Sequence, residues 1–160
     1  MPLDYHGGHK TWYVAPMARL EKVETALKVV AIVIAVVLFF QTMGEGTGAG
    51  AGTSARIMRV MAIGLAIAIL DRVQQRELAS IAFVVCNDLA HWGMYFALST
   101  GLASSVLVVA YCAFMMAGDI TKIAFFATTK YSVRGAPKPL LLIGVGAFVV
   151  AYGVILVLAL

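Results

Sequence analysis

Charged residues are scarce in this chain. Asp, Glu, Lys and Arg make up 12% of its 160 residues, where soluble globular chains carry roughly a quarter. That leaves too little charge to clothe an aqueous domain of this length. Cysteine is scarce too: Cys86 and Cys112 are the only two, and both fall inside apolar stretches, where a free thiol behaves as a small hydrophobe. There is no CxxC, no His/Cys cluster and no pair outside the apolar stretches to bridge, so cysteine usage says nothing about the redox compartment. GxSxG, HExxH and GxGxxG are all missing. No motif therefore points to a hydrolase, a zinc peptidase or a dinucleotide enzyme.

Apolar sequence fills the space. The chain is 62% hydrophobic, with a mean hydropathy of +0.94. Long apolar runs account for the excess, and they predict an all-α, polytopic transmembrane helical bundle. The formal charge of +4 then reads as topology and contact with anionic headgroups. The basic residues are dispersed without interleaved aromatics, so nucleic acid is not an expected partner.

Two regions are expected: an N-terminal surface segment over 1–25 and a single transmembrane domain over 26–160. In the first, Met17, Leu20, Val23 and Leu27 recur at helical spacing after Pro16, as in an amphipathic entry helix. Asp4, Glu21 and Glu24 interrupt the pattern of a cleavable signal, so none is expected. The predicted spans are about 26–43, 57–70, 78–98, 102–118 (or onward to 128) and 140–160. Lys28 is expected to snorkel to the headgroups. Residues 44–55 (GEGTGAGAGTSA) read as a flexible linker, because no strand precedes them and no Gly-Lys-Ser/Thr follows. Ser99-Thr100-Gly101 reads as a turn, and Pro137 and Pro139 break the chain before the last span.

Span two is the weak point of this topology. About 14 apolar residues fall short of the roughly 17–25 that a crossing needs, which keeps a four-span alternative open. The charges favour five. With five spans, Lys10, Arg19, Lys22, Lys28, Arg72, Arg76, Lys122, Lys130, Arg134 and Lys138 share one side, and only Arg56 and Arg59 lie on the other. By the positive-inside rule the N-terminus is then inside. Ala62 and Ala66, Gly64 and Ala68, and the Gly144–Ala147–Ala151 stripe mark expected helix-packing faces.

Asn87, Asp88 and His91 form the only polar cluster deep in a predicted span. A carboxylate at that depth costs about 2.5–3.5 kcal/mol on insertion scales, so something must offset it. Helical spacing puts the three side chains on one face, which makes His91 the expected partner of Asp88. The pair could act as a proton site or an acid/base couple, or it could fix packing. A metal site usually needs three or four ligands, and His91 is the only His in a span. A second expectation is an interfacial charge network of Arg72, Arg76, Glu77, Asp119 and Lys122.

These features point first to a non-catalytic integral membrane subunit of a larger complex. The alternatives are a small oligomeric proton or ion transporter using Asp88 and His91, and a membrane enzyme acting on a hydrophobic substrate. No cofactor is expected, and bound lipid is the one ligand class left open. Expected partners are membrane lipids and other membrane subunits or further copies of the chain. The sequence does not choose between a plasma membrane and an organelle inner membrane.

Overall fold

The computed structural model describes residues 19–43, 52–75, 78–128 and 138–160, without the side chains of 71, 72, 74, 75 and 79. The N-terminal segment before Arg19, the glycine linker up to residue 51 and the basic segment 129–137 lie outside the described residues. Among those described, the regular structure is five α-helices: α1 (Arg19–Thr42), α2 (Thr53–Gln75), α3 (Leu78–Thr100), α4 (Ser105–Thr128) and α5 (Lys138–Ala159). All five are long and apolar enough to cross a membrane. The fold is thus the all-α, five-helix bundle, and the chain is a multi-pass membrane protein.

Several helix ends differ from the apolar runs. Helix α1 starts at Arg19, seven residues ahead of its predicted span, because its first turns are helical and turn Glu24 into the bundle. Helix α2 starts four residues ahead of its predicted span, at Thr53, and its candidate span is Thr53–Leu70. Arg56 and Arg59 are exposed on its first turns. A cation that reaches outward does not interrupt a helix, and so the shortness of the apolar run was not the shortness of the helix. Helix α4 starts later than its predicted span, at Ser105, and takes the longer of the two expected ends, at Thr128. Before it, Gly101 sits at φ 71°, the left-handed position that ends helices and that glycine occupies without strain.

The helices pack as a ring. α1 lies against α3 and α4, α2 against α3 and α5, and α4 against α5. The order around the ring is therefore α1, α3, α2, α5, α4, and α2–α5 is the most sparsely packed seam. The buried residues of α1 are Glu24, Lys28, Ala31, Ala35, Leu38 and Thr42. Their alternating steps of four and three keep one stripe turned to the ring interior. Small Ala31 and Ala35 allow close approach; a Cβ on Gly93 of α3 would stand 3.6 Å from Phe39 Cβ and 3.7 Å from the Ala35 carbonyl. The core continues through Met58, Met94, Tyr111, Met115, Tyr152 and Ile155. The outward faces carry Val33, Phe40, Val60, Ile67, Val106, Ile143, Val150 and Val157, all well exposed, as suits helices solvated by lipid.

Candidate functional site

The ring interior is polar at one level. Glu24 and Lys28 come from α1, Asp119 and Lys122 from α4, and the two helices run antiparallel there. Lys28 Nζ donates to Asp119 Oδ1 at 2.6 Å and to Glu24 Oε1 at 3.1 Å. Lys122 Nζ donates to the same Glu24 oxygen at 3.0 Å. Charges alternate along Asp119–Lys28–Glu24–Lys122, and the four together are neutral. The inner pair is the drier one: Lys28 and Asp119 side chains are each 5% exposed, against 26% for Lys122.

Gly118 makes this geometry possible. A Cβ at that position would lie 3.0 Å from Lys28 Cγ and 3.2 Å from Lys28 Cε. The lysine stem lies in the slot that a missing side chain leaves beside Asp119. The expected snorkelling of Lys28 to the headgroups is thereby corrected. Two carboxylates inside the bundle hold its ammonium, and Lys28 is 4% exposed.

The second polar group is aromatic. His91 Nδ1 lies 2.7 Å from the Asn87 carbonyl oxygen, and Nε2 lies 2.6 Å from the Tyr152 hydroxyl. A carbonyl only accepts, so Nδ1 carries a hydrogen and donates. In a neutral ring Nε2 then accepts from the Tyr152 hydroxyl. Tyr111 and Phe148 meet the imidazole edge-on at 6.0 and 6.1 Å between ring centroids. Both ring nitrogens are therefore occupied, and His91 is wholly buried.

The two expected site clusters arrive partly rearranged. Asn87, Asp88 and His91 are all buried on α3, but the expected Asp88–His91 pair does not form; Tyr152 and the Asn87 backbone occupy His91 instead. Asp88 Oδ1 has no hydrogen-bond partner among the described residues. Of the second cluster, Asp119 and Lys122 each reach across to α1. The Arg72 side chain, Arg76 and Glu77 lie outside the described residues. Sequence reasoning missed Glu24, Lys28 and Tyr152 as parts of the interior. The Glu24/Lys28 spacing, in register with Ala31 and Ala35, was the signal for the first two. For Tyr152 the signal was a lone hydroxyl in an otherwise apolar run.

A cavity of about 230 Å³ opens beside these groups, and all five helices contribute to its wall. Its polar lining includes Lys28, Asn87, Asp119, Lys122 and Tyr152; Phe83, Phe126 and Phe148 are among the apolar walls. Among the described residues no group of three or more His, Cys, Asp and Glu could hold a metal ion. Comparison with protein-family models, curated proteins and solved structures found no match to this chain. The functional reading therefore rests on the site itself.

Proposed function

We propose that the chain is a non-catalytic integral membrane subunit, assembling with other membrane proteins or with further copies of itself. The observation that supports this best is how the buried charges are used. Asp119, Lys28, Glu24 and Lys122 neutralise one another across the α1–α4 seam, and both nitrogens of His91 are taken up between α3 and α5. An acid/base couple needs a group free to exchange a proton with its substrate. The four charges and His91 instead tie helices together, as interhelical polar contacts do in bundles. The preponderance of basic residues on one side of the sequence-derived topology supports an N-terminus on the inside under this reading.

A transporter reading is favoured by one observation, the unpartnered Asp88 Oδ1. It predicts that Asp88→Asn leaves assembly intact and abolishes proton or ion flux in vesicles. The subunit reading predicts no flux to lose. Native mass measurement after mild-detergent extraction tests the reading directly. The expected result is a particle heavier than one 17.0 kDa chain after detergent and lipid are stripped. A single chain under those conditions contradicts it.

A further inference from the structure

We infer that the interior cavity is a binding site for the hydroxyl head of a membrane lipid, seated against the Asn87 amide, with the lipid body leaving between α2 and α5. Three observations carry this.

The first is an orphan. Asn87 is 5% exposed and lines the cavity, and its Oδ1 has no hydrogen-bond partner among the described residues. A buried polar atom without a partner is costly, and native structures seldom leave one unanswered. The same cavity is lined by a donor with capacity to spare: an ammonium carries three N–H groups, and Lys122 gives one to Glu24. A hydroxyl both donates and accepts, so it suits the amide in either flip state and also accepts from the lysine. An anionic head does not suit the site. The four charges already balance, and an added charge would stand uncompensated in a low-dielectric interior. Depth argues the same way. At 1.5 Å per residue, Lys28, Asn87 and Asp119 lie about 13 Å in from the helix ends on that side, well below phosphate level.

The second observation is size. About 230 Å³ falls below the roughly 300–1,000 Å³ of pockets that enclose a drug-sized ligand. The cavity holds one end of a molecule whose remainder lies elsewhere.

The third is the doorway. α2–α5 is the sparsest seam of the ring, and Gly64 and Gly144, which line the cavity from those two helices, are both exposed. A Cβ on Gly144 would meet nothing within 4 Å. The opening thus faces the bilayer, and Phe148 stands against Gly64 at its edge. Sterols and acylglycerols share the required chemistry, a neutral hydroxyl on an apolar body.

The test is photolabelling of the full chain in its own membranes. The probes are diazirine-alkyne versions of a sterol, a monoacylglycerol and a fatty acid, each hydroxyl probe paired with its methyl ether, with adducts mapped by mass spectrometry. The expected result is adducts concentrated on residues 64–68 and 141–148, from the sterol or from the acylglycerol, whichever is the natural source. The hydroxyl form should label about fivefold more than its ether, as the loss of one neutral hydrogen bond implies. Asn87→Leu should erase that preference, and Gly144→Phe should block labelling. Purified yield and unfolding midpoint of both variants identify any failure to fold, and competition by unlabelled lipid on the wild-type chain then gives the answer alone. Equal labelling by hydroxyl and ether overturns the inference, as do stronger labelling by the fatty acid, adducts spread over Val150 and Val157, and no labelling at all.

Discussion

A lysine in a transmembrane helix ordinarily lays its stem along apolar surface and delivers its charge to the headgroups. Lys28 does otherwise because Gly118 leaves room beside Asp119. Its ammonium is pinned by two carboxylates, so the stem cannot swing clear of an added methyl. Gly118→Ala is therefore expected to cost about 1–3 kcal/mol, the usual range for forced overpacking, seen as a lower thermal unfolding midpoint in detergent. Gly144→Ala, with open space around it, should leave the midpoint unchanged or raise it slightly, since Ala is the better helix former. Tyr152→Phe removes the donor to His91 Nε2 and strands a buried acceptor, an expected loss of about 1–3 kcal/mol by the same measurement. The polar character of Asn87, Asp88 and His91 was legible in the sequence, but their wiring was not. Spacing on one helix shows which side chains are neighbours, yet the group that completes His91 lies 61 residues away on α5. No local pattern reports an interhelical contact of that kind.

Helices read more faithfully than contacts. Five apolar runs became five helices because, in lipid, a backbone must satisfy its own hydrogen bonds. The ends were less legible: α2 extends through Arg56 and Arg59, and α4 begins only after Gly101 has ended α3. At the α1–α4 seam the ion chain runs from a dry inner pair to a wetter outer one. Lys122, with 26% of its side chain exposed, should tolerate replacement better than Lys28. Lys122→Met is expected to cost about 1 kcal/mol or less, in the range of solvent-reached pairs. Lys28→Met should cost about 3–5 kcal/mol, because it leaves Asp119 buried without its cation. Chemical unfolding of the two variants side by side checks the order. Equal losses would contradict the gradient from a dry inner pair to a wetter outer one.

At the scale of the molecule, a ring of five helices surrounds polar groups that neutralise one another, and a sparse seam leads to a cavity. The ring was not legible in the sequence, because hydropathy places each helix across the bilayer without saying which helices touch. Burial shows the same limit. α5 is the most apolar candidate span and the least buried, at 11%; its sequence alone reads equally well as core or as lipid-facing surface. Under the proposed reading the buried charges hold the bundle together for assembly. Native mass measurement of mild-detergent extracts, run on Lys28→Met, Asp119→Leu and the double variant, tests it most directly. Each single variant leaves the buried chain with one uncompensated charge, so the heavy assembled species should be lost. The double variant removes both charges and leaves Glu24 and Lys122 paired, so the assembled species should return. A double variant as deficient as the singles, or single variants that assemble normally, would contradict the account.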